Sequence, residues 1–278
     1  MEGRTSPPLA ATSTARRLRL SWPVRRVLLR VLSVVVALGV WEWCGRHTNP
    51  ILFTYPTAIA RAGWEMAFGP AQIGKPSLWD ALGQSLNVFV WGLGLAVVAG
   101  VAVGLAMGRS RVVEALLELP MDALYATPTV ALVPVIVLWV GFGTTAKIVV
   151  VFLFSVFAIV LNTARGVREV DPKLLEVARS YLSSEPGLWR DVLLPSALPY
   201  VITGIRLAVG RALVGVVIAE FYSAISGLGF VIVSYANTFQ TAQVFVPVVI
   251  LMLLGVSFTW ALRLVEARLA PWRSESEG

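Results

Sequence analysis

The sequence predicts an all-α membrane protein with six transmembrane helices. Of its 278 residues, 57% are hydrophobic and only 14% are charged. Soluble domains are nearer to half apolar and a quarter charged, so this composition favours lipid as the surrounding solvent. The apolar residues also gather into six runs, each long enough to cross about 30 Å of hydrocarbon as a helix.

The six runs lie at about 27–43, 84–107, 113–140, 145–164, 198–220 and 243–266. The third contains Pro120, Pro128 and Pro134. Because proline lacks a backbone donor and clashes with the preceding turn, this span is predicted to be kinked or broken. In the second and fifth spans, small residues recur at every fourth position, a spacing that favours close helix packing. These positions are Gly92, Ala96, Gly100 and Gly104, then Gly204, Ala208 and Ala212.

The positive residues predict that both termini are cytoplasmic. Seventeen of the 23 Lys and Arg residues lie at or beyond the span ends that share a side with the N-terminus. Four lie toward the other side, and two, Arg206 and Arg211, lie within the fifth span. Since Lys and Arg are enriched in cytoplasmic loops, the predicted topology is N-in and C-in.

The N-terminal segment resembles a signal peptide in its arginines and the apolar run that follows. No small-residue cleavage site follows that run, which leads instead into Trp41, Glu42 and Trp43. We therefore expect an uncleaved first span with tryptophans at the interface. Residues 1–20 are polar and are predicted to be disordered.

Two loops are long. The outer one, about 44–83, has turn signals at its prolines and a short interfacial helix predicted at 56–68. Farther along the chain, Ser226–Gly229 and Asn237 predict an irregular outer segment, re-entrant or interfacial, where a soluble partner could dock. The other long loop, about 165–197, is cytoplasmic.

A short amphipathic helix is predicted in the cytoplasmic loop. Asp171-Pro172 is typical of a helix start, with a carboxylate N-cap and proline in the first turn. In the following stretch, 173–182, apolar residues share one face. They are Leu174, Ala178 and Tyr181, with Leu175 and Leu182 beside them. A polar turn, a second apolar stretch and Leu194-Pro195 come next, and Pro195 is predicted to stop the second helix before the fifth span.

This loop resembles the EAA loop of binding-protein-dependent ABC importer permeases, whose pattern is E-A-A, three residues, G, nine residues, I-x-L-P. Glu176, Val177 and Ala178 occupy E-A-A, and Val192 to Pro195 occupy I-x-L-P, with Leu194 at its leucine. The glycine position holds Leu182, although that glycine permits a positive φ that leucine adopts only with strain. The turn is therefore expected either to be built differently or to meet a different partner groove.

Other segments resemble the sulfonate, taurine and nitrate group of these permeases. They are Thr127–Pro134, Trp139–Gly143, Asn162–Arg168, Ala219-Glu220 and Ser226–Gly229. The resemblance covers about 80–266 and implies the MetI-like transmembrane core of type I ABC importers. It divides the chain into a disordered cytoplasmic N-terminus (1–20), a first span with an external loop (21–79), the permease domain (80–266) and a cytoplasmic tail (267–278).

The resemblance also implies a multi-pass location in a bacterial inner membrane, the partners and the site. The loop would be a coupling helix that docks on a cytoplasmic ABC ATPase, while a periplasmic or lipid-anchored binding protein delivers the solute outside. A second permease subunit, a copy of this chain or a paralogue, would complete the path within the lipid. The coupling residues would be Glu176, Val177, Ala178, Tyr181, Leu182, Val192, Leu194 and Pro195. The implied solute is a small anion such as a sulfonate, taurine, nitrate or an aromatic carboxylate, although the group also moves a neutral pyrimidine precursor.

Charged residues within the fifth span invite a role in the solute pathway. Arg211 and Glu220 are the candidates there; the alternatives are pairing of Arg211 with a carboxylate and a plain interfacial position for Glu220. An ion-coupled secondary carrier is the competing hypothesis for the whole chain. Such carriers usually have ionisable residues in several spans and inverted repeats, which this sequence lacks.

Several chemistries are not indicated by the sequence. The one cysteine, Cys44, and the one histidine, His47, rule out an internal disulfide and argue against a Cys/His metal site. Gly69-x4-Gly74-Lys75-Pro76 nearly matches a phosphate-binding loop but has proline where Ser or Thr is needed, and it lies on the outer side. We expect no catalytic residues, cofactor, metal or nucleic-acid partner, so the chain is not predicted to be an enzyme.

Overall fold

The structure is a computed structural model that describes residues 22–49, 51–70, 77–223 and 225–269. The predicted disordered N-terminus, most of the phosphate-loop-like segment and most of the cytoplasmic tail lie outside these ranges. Within them the chain is helical and has no strand. The helices are α1 (Trp22–Arg46), α2 (Pro56–Phe68), α3 (Leu78–Arg109), α4 (Arg111–Ala126), α5 (Thr129–Val140), α6 (Thr144–Arg168), α7 (Pro172–Ser180), α8 (Glu185–Leu188), α9 (Leu194–Ser223), α10 (Leu228–Ala236) and α11 (Thr241–Leu269).

Five helical segments in the described residues are long and apolar enough to cross a membrane: α1, α3, α6, α8 with α9, and α11. The helices α4 and α5 pass the same test as a pair, although they are bent by 99°. The bend lies at Thr127 and Pro128, so the prediction of a broken third span is confirmed. Pro120 and Pro134 lie inside α4 and α5 without ending them.

The helices α3, α6 and α9 form the core. Along α3 and α6, glycines of one helix lie against side chains of the other, and the residue numbers of the partners rise together. The pairs are Gly92 with Val151, Gly100 with Ile159, Gly104 with Thr163 and Gly108 with Val167. Since this register is constant, α3 and α6 are parallel. The close packing predicted from the small residues in α3 is therefore present.

The parallel arrangement decides whether the bent pair crosses the membrane. Because α3 and α6 point the same way, the chain must return from one side to the other between them, and α4 with α5 is the only described segment in that interval. The bent pair is therefore one broken span, and the spans number six within the described residues. The helix α9 is antiparallel to α6, since Gly166 lies against Tyr200 whereas Gly215 lies against Phe154.

Pro195 does not stop a helix, contrary to the prediction. The segment Glu185–Ser223 is one continuous helical stretch of 39 residues that includes α8, the five-residue π-helical turn Trp189–Leu193, and α9. A π turn bonds each N–H one residue farther back, as Leu194 N–H does to the Trp189 carbonyl. This wider turn accommodates the proline that follows it.

The two ends of the bundle differ, and we name them by the short helices they carry. The α7 end contains the C-termini of α3, α6 and α11 and the start of α9. The α10 end contains α2 and α10. The predicted interfacial helix at 56–68 is α2, whose first turn is held by Glu42 of α1 through bonds from Thr57 N–H (3.1 Å) and the Thr57 hydroxyl (2.6 Å).

Candidate coupling site at the α7 end

The sequence at the start of α7 determines where the helix begins. The Asp171 carboxylate accepts a hydrogen bond from Lys173 N–H at 2.9 Å, and Pro172 occupies the first helical turn. An N-cap carboxylate satisfies a free backbone donor and also interacts favourably with the helix dipole. The predicted helix start is therefore present, with the capping geometry that the sequence suggested.

The end of α7 is a Schellman motif. Ser183 N–H donates to the Ala178 carbonyl (3.1 Å), and Leu182 N–H donates to the Arg179 carbonyl (2.9 Å). This pattern needs a left-handed residue just past the helix, usually glycine. Leu182 has φ +54° and fills that position. The turn therefore keeps the conformation that the family's glycine provides, with leucine in its place.

The two faces of α7 have different surroundings. Leu175 and Ala178 pack on an apolar cluster at the α7 end, formed by Val167, Val170, Leu188, Leu193 and Ala197. On the adjoining side, the Leu174, Val177 and Tyr181 side chains are exposed, with Val177 at 54% and Tyr181 at 82%. The helix therefore presents an apolar face that nothing in the described chain covers.

The predicted coupling residues divide between these two environments. Glu176, Val177, Tyr181, Leu182 and Leu194 are exposed, and Leu182 is 91% exposed. By contrast, Ala178 and Val192 pack against the chain's own cluster, and Pro195 is half-buried. Ala178 follows Leu174 by one helical turn, so it lies on the predicted apolar face but at its border with the cluster, where it is half-buried.

Polar contacts fasten the spans beside α7. The Glu169 carboxylate, just past α6, accepts from the Tyr200 hydroxyl of α9 and from Arg165 (2.6 Å). These two bonds hold the pKa of Glu169 below its ordinary value, and the bond from Tyr200 has the larger effect on the pKa. Arg109 at the end of α3 pairs with Glu185 of α8 at 3.1 Å. The segment that carries α7 is thus tied to the ends of α3, α6 and α9.

A buried polar network occupies the α10 end. The Glu220 side chain is 0% exposed and accepts from the Ser85 hydroxyl (2.7 Å) and from Gly229 N–H (2.7 Å). Ser85 Oγ in turn accepts from Leu228 N–H at 2.8 Å. Buried Lys147 donates to the Ser226 carbonyl and hydroxyl, each at 2.9 Å. Glu220 is therefore an inter-span contact that fixes the start of α10, not an interfacial carboxylate.

The two arginines within the fifth span have different partners. Arg206 pairs with Glu266 of α11 near the α7 end. Arg211 instead donates to the Tyr125 hydroxyl of α4 at 2.7 Å. Tyr125 and Ser85 were not singled out in the sequence, because nothing local to either residue indicates a contact more than 80 positions away.

The single cysteine and histidine have ordinary surroundings. Cys44 is half-buried, and the His47 ring nitrogen Nδ1 lies 2.7 Å from the Trp43 carbonyl within the same turn. In the parts of the chain that the structure describes, no group of three or more His, Cys, Asp or Glu side chains is arranged to hold a metal ion.

The structure has six spans around a glycine-packed core, and the short exposed helix α7 projects between α6 and α9. These features define a polytopic membrane protein of the permease class. The chain belongs to the family described as binding-protein-dependent transport system inner membrane component, whose model matches residues 83–271. The predicted family and fold class are thus confirmed. The chain is the membrane-spanning permease subunit of an ABC importer, and such permeases work with ATPase and binding-protein subunits. The family is a transport component, not an enzyme family.

Relatives match over nearly the whole chain. The taurine transport system permease protein TauC of Escherichia coli is 30% identical, covering 94% of this chain and 96% of that protein. A Bacillus subtilis protein named as an aliphatic sulfonates transport permease, SsuC, is 36% identical, covering 91% and 87%. The nitrate import permease protein NrtB of Leptolyngbya laminosa is 26% identical, covering 89% of each chain.

A solved structure supports the fold. A crystal structure of an amino acid ABC transporter with histidines matches with a TM-score of 0.56 at 18% identity. The match covers 68% of this chain and 92% of that one. At this identity the likeness extends to the arrangement of the helices alone.

Proposed function

We propose that this permease imports a small sulfonate or a related small oxyanion, and that the exposed face of α7 docks on the cytoplasmic ATPase. The observation that carries the docking proposal is the uncovered apolar side of α7 formed by Leu174, Val177 and Tyr181. An apolar surface that projects into water is typical of a partner interface. Capping hydrogen bonds at both ends of α7 keep the helix intact. It is therefore suited to transmit a displacement of the ATPase to the spans.

The proposed orientation places the α7 end in the cytoplasm. Arg109, Arg111, Arg165, Arg168 and Arg179 all lie at this end, which is the expected location of positive residues near the cytoplasmic ends of spans. The α10 end then faces the binding protein. It has a cavity of about 550 Å³, bordered by α2 and the start of α11, that is open to the outside.

A single copy of the chain offers no path through its own core. The contacts between α3, α6 and α9 are too close for even one added methyl group at several glycines, as at Gly104, where it would lie 2.6 Å from the Thr163 Cβ. A solute must therefore pass along the outside of this core. We propose that a second copy of the chain forms the other wall, as in a homodimer.

The proposed solute follows from the relatives. Those named for taurine, aliphatic sulfonates and nitrate carry small oxyanions, and they cover this chain almost completely. Import would require the matching binding protein and ATP. A secondary carrier, by contrast, would need an ion gradient and no ATPase.

The docking proposal is tested by placing a charge on the outward face of α7. In Val177→Asp the carboxylate enters the proposed interface and has to lose its hydration, so recovery of the ATPase with the permease is expected to fall at least about tenfold. The measurement is the yield of ATPase that co-purifies from cells producing all subunits.

The matched control is Ile51→Asp. Ile51 is 55% exposed, nearly the same as Val177, but lies toward the α10 end, so this variant should retain the ATPase at wild-type yield. Equal recovery of the ATPase with Val177→Asp and with wild type would refute docking through α7. ATP-dependent uptake of taurine into proteoliposomes containing all subunits tests the transport proposal separately.

A further inference from the structure

An unusual charge lies within the membrane-spanning part of α9. At 1.5 Å per residue, Arg211 is about 26 Å from the start of α9 at Leu194 and about 18 Å from its end at Ser223. Its guanidinium donates to the Tyr125 hydroxyl at 2.7 Å and lies 4.6 Å from the centre of the tyrosine ring. Among the described residues, no carboxylate lies within 4.0 Å of it.

This arginine differs from the other one in the same helix. Arg206 is half-buried and is neutralised by Glu266. Arg211 is exposed, and its partner is uncharged. A charge near the centre of a bilayer is costly unless it faces protein or water, so the face of α9 that carries Arg211 is not expected to contact lipid tails.

The break in the third span is a second, independent observation at the same place. Tyr125 lies in the last turn of α4, directly before the bend at Thr127 and Pro128. The helix α5 then begins without a side-chain cap on its first N–H groups. Irregular backbone at membrane depth is found only where it is buried in protein or lines a water-filled space. The Arg211 charge and the break between α4 and α5 therefore both require protein or water around them instead of lipid.

The opposite side of α9 is closed. Ala208, Ala212 and Gly215 are buried in the contact with the rest of the bundle, whereas Leu207 and Val214 on the Arg211 side are exposed. The space in front of Arg211 thus lies outside the packed core, where the proposed second copy would form the other wall. The nearest acidic residue along α4 is Asp122, one turn before Tyr125, and it makes no ion pair with Arg211.

We infer that Arg211, held in place by Tyr125 at the break between α4 and α5, is an anion-binding position in the translocation path. This inference rests on the proposed import of small oxyanions. The guanidinium supplies parallel N–H donors that match the oxygens of a sulfonate, and it is always charged. The start of α5, four residues after Tyr125, has no side-chain cap and would add backbone donors and a favourable dipole for an anion.

The test uses the assembled transporter in proteoliposomes with radiolabelled taurine as the probe. Arg211→Gln is expected to lower taurine uptake at least about tenfold, because a charge-assisted contact to the anion is lost. Stimulation of ATP hydrolysis by the taurine-loaded binding protein should persist in this variant, since α7 and the α10 end are unchanged. Tyr125→Phe keeps the ring and the charge but loses the hydroxyl, so a smaller reduction of about fivefold is expected.

The control removes a different arginine from the same helix together with its counter-charge. The double variant Arg206→Gln with Glu266→Gln should transport taurine within about twofold of wild type, since a neutralised pair is replaced by a neutral pair. Wild-type uptake with Arg211→Gln would overturn the inference. Loss of both uptake and stimulated ATP hydrolysis would also overturn it, because Arg211 would then be needed for coupling or folding. If the wild-type transporter carries none of taurine, sulfonates and nitrate, the proposed function is wrong. The inference about Arg211, which depends on it, is then wrong as well.

Discussion

Leu182 shows how a single residue can keep a family's backbone while changing its chemistry. Its φ of +54° costs a residue with a Cβ about 1–2 kcal/mol relative to the right-handed region. Two backbone bonds of the Schellman motif depend on this conformation. The side chain itself is 91% exposed beside the outward face of α7. We therefore expect Leu182 to strain the isolated permease while extending the apolar surface offered to the ATPase.

Replacing Leu182 with glycine separates these two effects. Leu182→Gly should relieve the left-handed strain and slow hydrogen exchange of the α7 amides about fivefold, which corresponds to about 1 kcal/mol. Leu182→Ala removes nearly the same apolar surface but keeps the strain, so exchange should remain near the wild-type rate. Both variants should weaken ATPase binding. Equal protection of α7 in the two variants would show that the backbone is not strained at this position.

The sequence predicts the conformation or surroundings of a single residue only where these depend on its neighbours along the chain. The EAA spacing identified the position that needs a positive φ, because the rule for glycine past a helix end is local. The partial burial of Ala178 was not predictable in the same way, since it depends on the cluster around Leu188 and Leu193, which the rest of the chain builds. The burial of Glu220 depends likewise on Ser85, in another span.

The pairing of α3 with α6 is the main interaction between elements. Glycines have no side chain to separate the helices, so the two backbones approach closely and gain dispersion contacts. These contacts matter because lipid provides no hydrophobic driving force for helices to associate. The polar side chains on this side of α6 include Ser155 and Thr163, both buried, and the Ser155 hydroxyl donates to the Val151 carbonyl of its own helix at 2.8 Å. The contact is expected to tolerate no added volume.

Two glycines of α3 provide a matched test of this packing. A methyl group at Gly104 would lie 2.6 Å from the Thr163 Cβ and 2.7 Å from the Val160 carbonyl oxygen. Gly104→Ala should therefore destabilise the protein by about 1–3 kcal/mol and lower its thermal unfolding midpoint in detergent. Gly94 has no neighbour within 4 Å of such a methyl group, so Gly94→Ala should leave the midpoint unchanged or raise it. A fall of the same size in both variants would contradict the packing model.

The elements themselves were largely predictable from apolar run length and from proline positions. The interfacial helix at 56–68 agrees with α2, and the broken third span agrees with the bend at Pro128. The same reasoning failed at Pro195, because a π-helical turn just before it makes room for the proline ring. Such a turn depends on packing of Leu188 and Leu193 and leaves no recognisable pattern in the sequence.

At the scale of the whole molecule, the helix directions determine which helix ends share a side. The parallel α3 and α6 and the antiparallel α9 place α7 opposite α10. The arginines at the α7 end make that end cytoplasmic in the proposed orientation. Every functional assignment above uses this orientation, so it has its own test.

Cysteine labelling in intact cells tests the orientation. With Cys44 replaced by serine, a cysteine introduced at Thr48 lies toward the α10 end and should react with a membrane-impermeant maleimide from outside. A cysteine introduced at Ser180 lies at the end of α7 and should react only after the cells are permeabilised. Both positions are exposed, so the contrast reports sidedness and not burial. The reverse pattern would invert the topology and remove the basis for ATPase docking.

The continuous helical stretch Glu185–Ser223 has a mechanical consequence. Its 39 residues form a rod about 58 Å long that begins beside α7 and ends at the residues that hold α10. At Gly204 and Gly215 its middle part packs closely against α6, so a tilt of the rod would pivot between these two contacts. A tilt of about 10° there would displace the tip beside α7 by about 6 Å and the other tip by about 4 Å in the opposite direction, given the rise per residue of an α-helix. In the proposed orientation and the proposed homodimer, movement of the α7 tip toward the twofold axis would thus swing the α10 tip away from it.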